Sequence, residues 1–350
     1  MNIPKKALAG IALAASAALG LTACGSNAGS ASDASASAGS GSGDITVYNA
    51  QHDTLTKEWV DAFTKETGIK VTIRQGSDTE LSNQIVQEGQ ASPADVFLTE
   101  NSPAMAQVEN AGLFADVDKA TLDQVPAEFR PSTGKWTGIA ARSTVFVYDK
   151  NKISDDKLPK SMLDLANPEW KGKWAASPSG ADFQAIVAAL LELNGEAATE
   201  EWLKGMKENF KAYKGNSTAM KAVNAGEVDG ALIYHYYYYG DQAKTGENSK
   251  NVTPYYFKNQ DPGAFLSVSG GGVLKSSKHA ADAQAFLKFI TGKKGQEVLK
   301  NGTSFEYAIA SQVDANAKLV PIKELQAPTV DPAKLNSAKV TELMTKAGLL

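Results

Sequence analysis

The sequence predicts an α/β protein of two lobes joined by long crossing strands, a clamshell that closes over a ligand by bending at a hinge. Three observations carry this expectation. A β-α-β-α-β-α rhythm fills residues 45–112, the pattern of a mostly parallel sheet covered on both faces by helices. Two long apolar, β-branched stretches, Ile139 to Tyr148 and Phe265 to Leu274, read as crossings between the lobes. A second α/β set lies between them, and its strand Ala231-Leu232-Ile233 runs straight into Tyr234-His235-Tyr236-Tyr237-Tyr238-Tyr239.

In order, the folded part begins with the β-rich run Ile45-Thr46-Val47-Tyr48-Asn49. Leu55, Trp59, Val60 and Phe63 then recur at helical spacing, with Asp53 or Thr54 as N-cap and Gly68 as the stop. Val71-Thr72-Ile73-Arg74 alternates as a strand, a helix covers about Glu80 to Gln87, and Asp95-Val96-Phe97-Leu98 is the third strand. Ser102 or Pro103 opens a helix that closes near Gly112. In the second set, Trp174-Ala175-Ala176 precedes helices at about Ala181 to Leu193, Glu200 to Tyr213 and Met220 to Asn224. Helices over His279 to Ile290 and Gly295 to Lys300 return to the first lobe, and Ser337 to Ala347 is a last amphipathic helix. The glycines Gly270 to Gly272 lack the spacing of a phosphate loop and point to a hinge or to close strand packing. These readings divide the chain into one lobe of residues 44–141 with 268–317 and another of 142–267 with 318–350.

The chain has 350 residues, 43% hydrophobic and 21% charged, with a formal charge of -4. Its basic residues are scattered, which argues against nucleic acid. Lys5-Lys6 and the Ala/Leu-rich stretch Ala7 to Gly20 make residues 1–23 an export leader. Leu21-Thr22-Ala23-Cys24 resembles a lipobox, so Cys24, the sole cysteine, is expected to carry a lipid. Residues 24–43, almost all Gly, Ser and Ala, form a flexible leash. The expected location is extracytoplasmic, tethered to the membrane by that lipid.

Three strands stop just before a possible metal ligand: one before His52, one before Glu100 and one before the tyrosines. Functional groups in such sheets gather beyond the carboxyl ends of strands, so the three can meet in one cleft. The donor types choose the ion. No HExxH or CxxC pattern for zinc occurs, nor an acidic calcium loop. Two phenolates and one carboxylate match a trivalent ion, with a neutral histidine as fourth donor, and ferric iron fits best. Neighbouring phenols can share an ion only if the backbone turns there, as at a helix start. Ser177-Pro178-Ser179-Gly180-Ala181 and Asn216-Ser217 precede helices, whose free N–H groups suit an anion that completes the metal shell.

From about Ile45 to the C-terminus, the chain resembles the bacterial ferric-ion-binding proteins, solute-binding components of iron ABC importers with the two-lobed type 2 periplasmic-binding-protein fold. The likeness rests on Val47-Tyr48-Asn49-Ala50-Gln51-His52, Asp95 to Glu100, Ala140-Ala141-Arg142-Ser143, Ser179-Gly180-Ala181, Asn216-Ser217, Ala231-Leu232-Ile233, Tyr236-Tyr237 and Asp261-Pro262-Gly263-Ala264. It implies His52, Glu100, Tyr236 and Tyr237 as iron ligands. It also implies a synergistic anion, phosphate or carbonate, at Ser179, Gly180, Ala181 and Asn216. Tyr234 and His235 stand where many members have asparagines. Arg142 is a further anion candidate, since related branches hold carbonate with an arginine; an inter-lobe salt bridge is its other reading. His235 reads as a structural or surface group, and His279 as exposed.

The function these readings support is capture of ferric iron and delivery to a membrane permease, by a monomer. The ATPase must be another chain, because no GxxxxGK[ST] occurs. The rival is a clamshell for a small organic or oxyanionic solute such as a polyamine, thiamine or a phosphonate. A secreted enzyme is disfavoured, as no GxSxG elbow is present.

Overall fold

The structure, a computed structural model, describes residues 43–350. The leader, Cys24 and all but the last residue of the leash lie outside them. Strand β1 (Ile45–Asn49), helix α1 (Asp53–Thr67), β2 (Val71–Gln75), α2 (Asp78–Glu88), β3 (Val96–Leu98) and α3 (Ser102–Asn110) follow the expected rhythm. β1 pairs in parallel with β2 and with β3. Ile45, Val47 and Val96 share a core with Trp59 and Phe63 of α1, while Tyr48 and Phe97 face Leu81, Ile85 and Met105 of α2 and α3. Both faces of the sheet are therefore covered, which is why β1 and β3 bury apolar side chains on both sides. Gly68 ends α1 in the left-handed region at φ 78°, as glycine does after a helix. Capping at its start differs from expectation: Asp53 is already the first helical residue, and His52 before it makes no side-chain cap.

A short helix α4 (Lys119–Leu122) leads to β4 (Thr137–Asp149), buried along all 13 residues. Then come β5 (Trp174–Ala176), α5 (Ala181–Asn209), β6 (Phe210–Ala212), α6 (Asn216–Asn224), β7 (Gly230–Tyr234), α7 (His235–Lys244), β8 (Val252–Tyr255) and β9 (Leu266–Val273). Helices α8 (Ala280–Thr291), α9 (Lys293–Asn301), α10 (Ile322–Leu325) and α11 (Ser337–Lys346) complete the chain. The strand order is β2-β1-β3-β9-β4-β7-β5-β6, with β8 added on β4.

The two expected crossings are β4 and β9, and both run antiparallel to their neighbours. Residues Thr137 to Ser143 of β4 pair with β9, whereas Thr144 to Tyr148 pair with β7. One continuous strand thus joins the two halves of the sheet. The glycines of β9 serve close packing, since a Cβ on Gly270 would lie 2.3 Å from Met105 Cγ and one on Gly272 2.7 Å from Phe114 Cε1.

Three local expectations are corrected. The helix expected to reach Tyr213 ends at Asn209, and Phe210–Ala212 instead pairs in parallel with β5. Packing of the Phe210 ring 5.8 Å from Trp174 outweighs the helical continuation. The two helices expected over residues 181–213 are one element broken at Gly195, where φ is 80° and ψ 173°. β8 was not foreseen; its Pro254 is tolerable on a strand added at an edge. Among the described residues, no helix is long and apolar enough to cross a membrane.

Candidate metal site

The corner after β1 is locked by two buried amides. Asn49 Nδ2 donates to Gln51 O at 2.8 Å and to Gln75 Oε1 at 2.7 Å, while Asn49 Oδ1 accepts from Thr56 Oγ1 at 2.9 Å. Gln51 Oε1 in turn accepts from His52 N at 2.7 Å. The imidazole is delivered between two carboxylates: Nε2 lies 3.0 Å from Glu100 Oε1, and Nδ1 lies 2.8 Å from Glu306 Oε1. After β3, Glu100 is held by its backbone, whose N–H donates to Asp78 Oδ1 at 3.0 Å and whose carbonyl accepts from Ser269 Oγ at 3.2 Å.

β7 ends at Tyr234 and α7 begins at once with His235, so the phenols sit on the first turn of a helix. Tyr236 and Tyr237 both donate to Asp182 Oδ2, at 3.2 and 3.0 Å. The Tyr236 ring also meets His52 edge-on at 4.9 Å. Thus His52, Glu100, Tyr236 and Tyr237 come together. Tyr238 and Tyr239 do not share the Asp182 contact; Tyr239 is met by the Tyr256 hydroxyl at 3.3 Å. His235 is not at the surface but fully buried, accepting from Ser143 N at 3.1 Å and stacked on Tyr307 at 4.7 Å. Burial carries its pKa down to about 3, so it stays neutral. His279 is half-buried rather than exposed.

Of the expected anion holders, Asn216 reaches the site: its Nδ2 donates to Asp182 Oδ2 at 2.8 Å. Ser179, Gly180 and Ala181 lead into α5, with Gly180 as N-cap, but Ser179 itself is exposed. Arg142 is fully buried and its Nη2 donates to Glu306 Oε2 at 2.7 Å, while its guanidinium lies 5.6 Å from the Tyr236 ring centre. Its Nε and Nη1 have no hydrogen-bond partner among the described residues.

Two carboxylates at the heart of the site were not anticipated. Asp182, on the first turn of α5, reads in sequence as an ordinary acidic residue favoured by the helix dipole. Glu306 sits between Phe305 and Tyr307, and a charge within that aromatic pair was the available signal. Asn101 links the neighbourhood, donating through Nδ2 to Asp78 Oδ2 at 3.1 Å and to Asp182 Oδ1 at 3.0 Å.

Electrostatics explain the protonation. Burial, and then the Asp182 charge, push both phenols well above their ordinary value, so Tyr236 and Tyr237 are neutral donors without a metal. Burial and the nearby Glu100 raise Asp182 as well. Burial disfavours a charged His52, but Glu306 and Glu100 outweigh it and lift the imidazole to about 10. Burial likewise opposes charge on Glu306, and Arg142 and His52 overcome it, taking the carboxyl down to about 2. Among the described residues, no three His, Cys, Asp or Glu side chains form a metal-binding group on their own. Any ion held here depends on the phenols. Beside them opens a cleft of about 530 Å³ lined by His52, Glu58, Lys221, Tyr236, Tyr237 and Asp241 among others.

Comparison with known proteins agrees with this architecture. Residues 91–335 match the model of the bacterial extracellular solute-binding protein family. An Fe(3+)-binding periplasmic protein of Serratia marcescens is 70% identical over 87% of this chain and 90% of its own length. The major ferric iron-binding protein of Neisseria meningitidis serogroup A is 38% identical over 87% of this chain and 93% of its own. Iron-bound HitA from Pseudomonas aeruginosa superimposes with a TM-score of 0.83 at 42% identity, covering 87% of this chain and 99% of that one. The expected two-lobed periplasmic-binding-protein fold is therefore present, and the chain belongs to the bacterial extracellular solute-binding protein family.

Proposed function

We propose that this protein captures ferric iron as cargo between its lobes, through the phenolates of Tyr236 and Tyr237, the carboxylate of Glu100 and the imidazole of His52. The observation that carries this is the meeting of those four side chains, drawn from three strand ends, in one contact network beside the cleft. The similar proteins of Serratia and Neisseria are named for ferric iron binding, which supports the same cargo. A trivalent ion displaces the phenol protons that burial otherwise retains, and takes the Nε2 lone pair once His52 gives up its proton. The lobes are residues 44–141 with 268–317 and 142–267 with 318–350. The exchange of partners along β4 between Ser143 and Thr144 favours a hinge there.

The role is transport rather than catalysis. The protein is a monomer that hands iron to an ABC permease driven by a separate ATPase, and Cys24 holds it to the outer side of the cell membrane by a lipid.

A synergistic phosphate or carbonate completes the shell, held by Ser179, Gly180, Ala181, Asn216 and Arg142. The start of α5 and the two unpartnered Arg142 nitrogens support it. A second reading has its own observation: the Asn216 amide is already given to Asp182, so this carboxylate can fill the anion's place itself. Loading the full chain from ferric nitrilotriacetate in phosphate, in carbonate and in neither buffer separates the two. One iron per chain only when an anion is added supports the external anion. Equal loading in all three, lost in Asp182→Asn, supports the second reading. No loading in any buffer contradicts the ferric function.

A further inference from the structure

The contacts around Glu306 go beyond the ligand set, because they fix how its carboxylate is turned. Oε2 receives Arg142 Nη2 at 2.7 Å and Gln51 Nε2 at 3.2 Å, with Ser269 Oγ 3.3 Å away. Two donors on Oε2 leave Oε1, which takes no hydrogen bond from any other described group, facing His52 Nδ1 2.8 Å away as its ion-pair partner. The group is fully buried, so the carboxylate cannot rotate into solvent. The backbone is also held against its preference here: Phe305, immediately before it, adopts φ 57°, a left-handed conformation uncommon for a bulky residue. Strain of that kind persists only where surrounding contacts over-determine it, and the Phe305 ring is stacked on Tyr239 at 6.1 Å.

We propose that Glu306 is a positioning residue for metal capture, holding the His52 ring by Nδ1 so that Nε2 faces the site beside Glu100. A neutral imidazole has one N–H and one lone pair, and an acceptor opposite Nδ1 settles which nitrogen carries which. Metal-bound histidines are commonly oriented in this way by a carboxylate. Arg142 and Gln51 serve at one remove, by keeping Glu306 turned. This role rests on the ferric reading given above, in which His52 is a ligand.

The test is a double-mutant cycle on the full chain, reading ferric affinity by competition with nitrilotriacetate for wild type, Glu306→Gln, His52→Ala and the pair. Glu306→Gln is expected to weaken binding by about 10- to 100-fold. The same change in the His52→Ala background should cost less than about threefold, because the residue through which Glu306 acts is gone. Equal losses in both backgrounds, or no loss in either, overturn the positioning role while leaving the ferric site intact. Absence of iron uptake by the wild type overturns the ferric reading and this role with it. Should Glu306→Gln fail to fold with Arg142 left unpaired, Glu306→Asp keeps the charge and withdraws the carboxylate by one methylene. The same pair of losses is then read from that variant.

Discussion

Although consecutive in sequence, the rings of Tyr236 and Tyr237 lie 4.3 Å apart with planes inclined by 30°, and both hydroxyls meet one oxygen of Asp182. On a strand such neighbours would point to opposite faces. The junction at Tyr234–His235, where strand becomes helix without a loop, removes that restriction. It turns a repetitive tyrosine run into two donors aimed at one point.

Ferric loading should release protons. Tyr236 and Tyr237 are protonated in the metal-free site, and His52, lifted to about 10, is charged at neutral pH. Calorimetry at pH 7 in buffers of different ionisation enthalpy is expected to give about three protons released per ion once the chelate's own contribution is subtracted. A value near zero would mean that the phenols are not ligands. Uptake should accordingly weaken as the pH is lowered.

Stability of the metal-free protein should carry the signature of His52. Its pKa is raised from 6.5 to about 10, so the stabilisation it contributes is complete below pH 6.5 and is lost as the pH rises through about 10. The thermal midpoint of wild type minus that of His52→Ala should therefore be largest near pH 6 and shrink towards pH 10. Glu306 works at the other end: with its pKa taken from 4.5 to about 2, its contribution is present above pH 4.5 and is lost as the pH falls through about 2. A midpoint difference that grows with alkalinity would contradict the pairing of His52 with Glu100 and Glu306.

Gly270→Ala tests the packing of β9. The added methyl would enter the space of Met105, whose Cγ lies 2.3 Å from the new atom. Overpacking of this kind costs about 1–3 kcal/mol, measurable as a lower urea midpoint with unchanged slope. An unchanged midpoint would show that the Met105 chain moves aside without cost.

Most of the architecture was legible in the sequence, because hydrophobic period and glycine stops act locally. β1 to α3, β4, β9 and the strand before the tyrosines stand close to where their patterns put them. The misses share a cause. Phe210–Ala212 becomes a strand only because β5 offers it an edge, and β8 only because β4 does. The strand ends announced His52, Glu100 and the phenols, yet the groups that tie them together were silent. Asp182 looked like a plain helix-start acid, and Glu306 offered only a charge set between Phe305 and Tyr307. Each gains its meaning from residues more than 50 positions away, Tyr236 for the one and His52 for the other. For His235 the sequence leaves a structural and a surface role both open, and only Ser143 and Tyr307 show it to be enclosed.

The most direct measurement is a titration of the full chain with ferric nitrilotriacetate, following visible absorbance for a phenolate-to-iron charge-transfer band, beside the Tyr236→Phe/Tyr237→Phe double variant. The expected result is a band that saturates at about one iron per chain in the wild type and is missing in the folded variant. A folded wild type that stays colourless, or a variant that colours equally, would contradict a site built on these two phenols. The cleft would then be read as a site for a small organic or oxyanionic solute.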